Sequence, residues 1–200
     1  MEITTSMIKE LRDATSAGVL DCREALEATE GDFEEAIAYL REKGMSEAAA
    51  KSDSAASEGL IEAYIHHGSQ VGVLLELNSE TDFVARTDDF GTLAHNLALH
   101  IAFAAPEYLA REDVPEEVIE EERSIYRKRA LQEGKPEHII DRIVDGRLDK
   151  FFEQTCLMEQ PFVKNEDKSI GDLIKEAITA FGENIVVGRF DRYEVGEAHG

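Results

Sequence analysis

Apolar residues recur along this chain at two different spacings. Over the first fifty residues the spacing is helical: Met7, Ile8 and Leu11, then Ala25 and Leu26, then Phe33, Ile37 and Leu40. Thr4 is placed to cap the first helix, with Ile3 stapling to Ile8, and Ala17-Gly18 ends it. Asp21-x-x-Glu24 reads as a capping box opening the second helix. Asp32-x-x-Glu35, after Gly31, opens the third, and Gly44 stands where a C-terminal cap belongs. Three short helices over 1–45 predict a small bundle with a minimal core. Residues 46–57, rich in Ala, Ser and Glu, carry no apolar stripe and predict a helical or flexible linker.

Beyond it, in 58–200, the period becomes two. Ile61, Ala63 and Ile65 alternate with Glu62 and Tyr64, and Val71, Val73, Leu75 and Leu77 follow in the same manner. His67-Gly68-Ser69-Gln70 between them predicts the turn of a β-hairpin with one strongly apolar face. Helical spacing then returns. One helix starts at Asp88 or Asp89 and runs to Pro106. A second follows Pro115, and a third follows Pro136 with Ile140, Val144, Leu148 and Phe152 on its stripe. A fourth follows Ser169 and ends at Gly182, and 184–195 reads as a closing strand with a short tail behind it. The class is α+β: about three antiparallel strands with several helices against one face. Such a sheet keeps open edges, and any apolar face left uncovered invites a partner.

Charge narrows the functional classes. The 43 acidic residues outnumber 21 basic ones, for a net charge of -22. A chain so acidic repels a phosphate backbone unless it has a local basic stripe. Its densest basic cluster, Arg123, Arg127, Lys128 and Arg129, follows an acidic run and lacks interleaved aromatics. No nucleic-acid partner is expected. No apolar stretch is long enough to span a membrane, and no signal peptide opens the chain, so the expected location is cytoplasmic with no membrane partner.

Catalytic chemistry finds little support. The chain has neither a phosphate-cradling glycine loop nor a dinucleotide fingerprint, and no His-Glu-x-x-His pair. His95 and His100 are five apart, so a helix turns them away from each other; His66 and His67 would point to opposite faces of a strand. Cys22, at a helix start, has no nearby histidine to activate it, and Cys156 is too distant for a metal or redox spacing. No cofactor, no metal and no enzymatic activity are expected. The segment Asn78-Ser79-Glu80-Thr81-Asp82-Phe83-Val84-Ala85 is different. Thr81 can cap a short helical turn that presents Phe83 from a rigid corner. From spacing alone, Phe83 is better read as packing on its own sheet.

Several spaced motifs alter that weighting. Lys9-Glu10-Leu11-Arg12, Thr15-x-Ala17-Gly18-x-x-Asp21-Cys22-Arg23-x-Ala25-Leu26 and Gly31-Asp32 stand near the start, and Thr81-Asp82-Phe83-Val84-Ala85 in the core. His100-Ile101-Ala102, Gly134-Lys135-Pro136, Gln160-Pro161-Phe162-Val163 and Glu194-Val195-Gly196-Glu197 follow in order. Together they resemble the bacterial elongation factor Ts family, guanine-nucleotide exchange factors for elongation factor Tu, over nearly the whole chain. The resemblance implies a ubiquitin-associated-like (UBA-like) fold for 1–45. It implies binding to GDP-bound and nucleotide-free elongation factor Tu in translation elongation. It also implies partner contacts at Val19, Leu20 and Arg23, at Thr81, Asp82, Phe83 and Val84, and at Val71, Gly72, His100 and Val163. Asp82 and Phe83 are expected beside the partner's magnesium and phosphate site. Longer members carry two copies of the core module, whereas only one is present here. Short members of that kind pair their sheets, which implies a homodimer. Val19 and Leu20 stand where longer members often have methionines. The alternative is a UBA-like interaction adaptor without exchange activity.

Overall fold

The computed structural model describes residues 3–15, 17–51 and 54–197, with residues 47 and 48 described as backbone only. Residues 52–53 of the expected linker and 198–200 of the expected tail lie outside these. Helices α1 (Thr5–Thr15), α2 (Val19–Ala28) and α3 (Phe33–Lys51) lead into β1 (Glu58–Ile65) and β2 (Val71–Ser79). Then come α4 (Asp82–Ala85), α5 (Asp88–Ala104), α6 (Glu116–Gln132) and α7 (Glu137–Thr155). The strands β3 (Pro161–Phe162) and β4 (Asn165–Ser169), helix α8 (Ile170–Phe181) and strand β5 (Val186–Glu194) complete the order. The main sheet is three-stranded and antiparallel, in the order β1-β2-β5. Packing divides the chain into two compact units. One comprises Met1–Leu60, Leu77–Gly91 and Asp172–Val186; the other comprises Ile61–Glu76, Thr92–Gly171 and Val187–Gly200.

In the first unit, Leu11, Cys22, Ala25, Leu26, Ala36 and Leu40 form a buried cluster, with Ile3, Ile8 and Phe33 packed around it. The expected first cap is present: the Met7 N–H donates to Thr4 Oγ1 at 3.3 Å. So is the third, where the Glu35 N–H donates to Asp32 Oδ1 at 2.9 Å. Two helix boundaries differ from expectation. Helix α2 starts at Val19 behind Gly18, so Asp21 lies inside its first turn. Its carboxylate instead pairs with Lys43 at 2.9 Å, beside Glu24 at 2.6 Å. Helix α3 does not stop at Gly44 but continues to Lys51. Docking against α8 explains this: Thr179 Oγ1 donates to the Gly44 carbonyl at 3.2 Å, and a Cβ at Gly44 would meet that oxygen at 2.9 Å. Here glycine marks a close approach rather than a helix end. Phe90 and Phe181 meet edge to face, with ring centroids 5.8 Å apart.

In the second unit, β1 turns its apolar residues outward. Glu62 and Tyr64 face α5, where His95 Nδ1 lies 2.9 Å from Glu62 and its ring stands edge-on to Tyr64. Ile61, Ala63 and Ile65 are therefore exposed, as are Leu74 and Tyr193. Helices α6 and α7 form a hairpin about Ala130, Ile140, Val144 and Leu148. Arg123–Asp145 and Arg127–Asp141 ion pairs bridge them on the surface. Pro115 and Pro136 sit just ahead of these helices, where a missing N–H costs nothing. The β3–β4 pair was not anticipated, being too short to show an alternation. Among the described residues no helix is long and apolar enough to cross a membrane, and no group of three metal-ligating side chains occurs.

Candidate functional site

The Thr81–Val84 corner lies where β2 ends. Ser79 is buried, and its hydroxyl donates to the Thr81 carbonyl at 2.9 Å, turning the chain out of the sheet. Thr81 is extended (φ -125°, ψ 154°) and caps α4, its Oγ1 accepting from the Val84 N–H at 3.5 Å. Thr87 closes the other end: its hydroxyl donates to the Val84 carbonyl at 2.8 Å and accepts from the Phe90 N–H at 3.2 Å. The four-residue helix is thus held at both ends by threonine hydroxyls.

The side chains divide sharply across this turn. Ala85 points inward and is buried, Val84 is half-buried, and Phe83 is 82% exposed. The packing reading from spacing is therefore overturned, because α4 projects Phe83 away from the sheet. Asp82 pairs with Arg86 one turn on, at 2.8 Å. This surface pair leaves the carboxylate able to exchange partners, since such pairs contribute little stability.

Residues absent from the expected site brace it. The Glu183 carboxylate accepts the Thr81 N–H at 3.0 Å and the Thr81 hydroxyl at 2.6 Å. In return, the Asn184 N–H donates to Glu80 at 2.7 Å. No sequence signal pairs 80–81 with 183–184; the polar Gly182-Glu183-Asn184 triplet looks like an ordinary helix-to-strand turn.

The remaining expected positions fall in two places. In the first unit, Val19 and Leu20 open α2 with 53% and 79% exposure, an unusual pair of bare aliphatics. Arg23 lies one turn on, paired with Glu27 at 2.7 Å. In the second unit, Val71 and Gly72 are half-buried at the start of β2, and the Ile65 side chain lies across Gly72. Expected to face the partner, His100 is fully buried. Its Nδ1 accepts the Val163 N–H at 3.3 Å, so Nε2 carries the proton and donates to Gln160 Oε1 at 2.9 Å. The Gln160 amide continues to the Ala104 and Gln154 carbonyls. Burial lowers the His100 pKa from its ordinary value, in keeping with a neutral ring. His100 thus meets Val163 but offers no surface of its own.

The cysteines are inert by position. Cys22 and Cys156 are both buried, and burial pushes both thiols up, away from a reactive thiolate. The groove between α6 and α7, about 250 Å³, is lined by Arg123, Arg127 and Asp141, which already engage in ion pairs.

Known proteins match nearly all of this chain. The family model described as "Elongation factor TS" matches residues 2–197. An elongation factor Ts of Moorella thermoacetica is 55% identical over 195 residues, covering 98% of this chain and 96% of that one. Another, of Coprothermobacter proteolyticus, is 58% identical over 197 residues, covering 98% and 100%. A third, of Thermotoga neapolitana, is 56% identical over 197 residues, covering 98% and 99%.

Proposed function

The chain belongs to the elongation factor Ts family, and from that membership we propose that it promotes GDP release from elongation factor Tu during translation elongation, in the cytoplasm. The observation that carries the mechanism is Phe83, 82% exposed on a helical turn fixed at both ends. An aromatic ring held rigidly in water sacrifices little conformational freedom when a partner buries it. In the proposed complex Phe83 enters the partner beside its magnesium and phosphate site, with Thr81, Asp82 and Val84 lining the entry. Val19, Leu20 and Arg23 hold the nucleotide-binding domain through the UBA-like bundle. Val71, Gly72 and Val163 supply a further contact, with His100 behind Val163.

Linkage turns binding into release. A protein that prefers nucleotide-free partner over GDP-bound partner weakens GDP by the same factor. Burying one Phe contributes about 1.5–3 kcal/mol, one to two decades of equilibrium constant. Phe83 therefore acts together with the other contacts. No bond is made or broken, so this is exchange rather than enzymatic chemistry. An adaptor using only 1–45 would leave the corner without a role, and the family match extends far beyond those residues.

The outward apolar face of Ile61, Ala63, Ile65, Leu74 and Tyr193 supports a homodimer in which two sheets pack face to face. The test of function is stopped-flow release of fluorescent GDP from elongation factor Tu. Acceleration by this chain, reduced in Phe83→Ala, is the expected result; no acceleration refutes the assignment.

A further inference from the structure

Helix α4 has only four residues, too short to hold its own shape in water. Its cap bond from Val84 is long, at 3.5 Å. The direction of Phe83 must therefore be fixed from outside the turn: Thr87 holds its C-terminal end, and the contacts of the 182–184 turn hold the other. Thr81 has one hydroxyl proton, and the 2.6 Å bond commits it to Glu183. The hydroxyl lone pairs are then left for the Val84 N–H, the orientation the cap requires. The same carboxylate takes the Thr81 N–H, so two donors of one residue converge on Glu183. The reciprocal bond from the Asn184 N–H to Glu80 fixes the residue before. Among the described residues neither Glu80 nor Glu183 has a cationic partner; each carboxylate is held by hydrogen-bond donors alone.

The turn is anchored in its own right. Asn184 is buried, and its side-chain amide donates to the Ser54 carbonyl at 2.8 Å. The Lys51 ammonium, at the end of α3, donates to the Gly182 carbonyl. The segment leaving the N-terminal helices and the Phe83 corner thus both fasten to the same three residues.

We propose that Glu183 is a positioning residue for nucleotide release: its carboxylate sets the Thr81 cap and so holds Phe83 in the orientation that enters the partner. This rests on the exchange reading above. Glu183 touches neither nucleotide nor partner; it acts through Thr81 and Phe83.

The experiment compares Glu183→Ala, Glu183→Gln, Phe83→Ala and the Glu183→Ala/Phe83→Ala double variant, each in the full chain, by release of fluorescent GDP from elongation factor Tu. Losing a carboxylate that accepts two bonds should lower the saturating release rate about tenfold. The half-saturating concentration should stay near wild type, because the α2 surface is untouched. Glu183→Gln keeps one acceptor oxygen in a side chain of the same size but sets an NH2 donor where the second oxygen stood, so it should recover only part of the rate; should the alanine variant not fold, this partial loss carries the same test. Because Glu183 acts through Phe83, the double variant should be no slower than Phe83→Ala alone. In the free protein, the Thr81 and Val84 amides should exchange with solvent faster once Glu183 is removed. Wild-type release by Glu183→Ala alongside slow release by Phe83→Ala overturns the positioning role and leaves the exchange reading intact. Multiplied losses in the double variant also overturn it. Wild-type rates in both single variants overturn the corner mechanism, and the positioning role with it.

Discussion

Gly44→Ala tests the docking of α3 on α8 by the sign of its effect. In an ordinary helix interior this change stabilises by about 1 kcal/mol, because alanine is the better helix former. Here the added methyl would stand 2.9 Å from Thr179 Oγ1, with Thr179 Cγ2 and Cβ at 3.6 and 3.7 Å. The one proton of that hydroxyl is shared between two carbonyls, Gly44 at 3.2 Å and Lys175 at 3.1 Å, so the oxygen does not simply swing aside. Overpacking of this kind costs about 1–3 kcal/mol. The net expectation is destabilisation of up to about 2 kcal/mol, against the helix-propensity trend. In a Thr179→Ala background the close oxygen is gone, and the nearest remaining atom stands at ordinary contact distance. There, Gly44→Ala should recover its stabilisation of about 1 kcal/mol. Urea unfolding followed by far-UV circular dichroism measures all four corners of the cycle, and the coupling between the sites should be about 1–3 kcal/mol. If Gly44→Ala stabilises equally in both backgrounds, α3 does not dock on Thr179.

Leu74→Glu places a charge on the outward sheet face; if the proposed dimer forms, light scattering should change from twice the chain mass to a single chain, and a wild-type monomer would refute that proposal. The lowered pKa of His100 means that the unfolded chain takes up a proton, near the ordinary 6.5, before the folded one does. Its contribution to stability is therefore complete above that pH and falls away as pH drops toward the folded value, by up to about 1.4 kcal/mol per pH unit. His100→Gln should flatten that slope in urea titrations below pH 6.5, and an unchanged slope would count against the buried neutral ring. Leu26→Ala opens a cavity in the bundle's buried cluster of Leu11, Cys22, Ala25, Ala36 and Leu40; a loss of about 2–5 kcal/mol should appear as early melting of helical signal.

Periodicity made most elements legible. The Asp32 cap, the Thr4 cap, the hairpin and the helices after Asp88 and Pro136 all stand where local spacing put them. The Thr81 cap was legible for the same reason, since a cap is a contact three residues long. Departures occur where a distant segment intervenes. Gly44 carries a stop signal that α8 overrides, and Asp21 gives up its capping role to Lys43 on another helix. His100, placed by the resemblance among the partner contacts, is enclosed by Gln160 and Val163, sixty or more positions away.

By itself the sequence determined the family, the helix and strand succession, and the residue to watch. It could not determine which way Phe83 points. Spacing favoured the sheet, and the resemblance favoured a partner. Only the tertiary structure decided, by setting Glu183 against Thr81 across 102 positions of chain and turning Phe83 into solvent. The physical reason is range. Propensities and caps act within a turn or two of their own residue, whereas the direction of an exposed side chain on a four-residue helix is set by whatever holds that helix from outside.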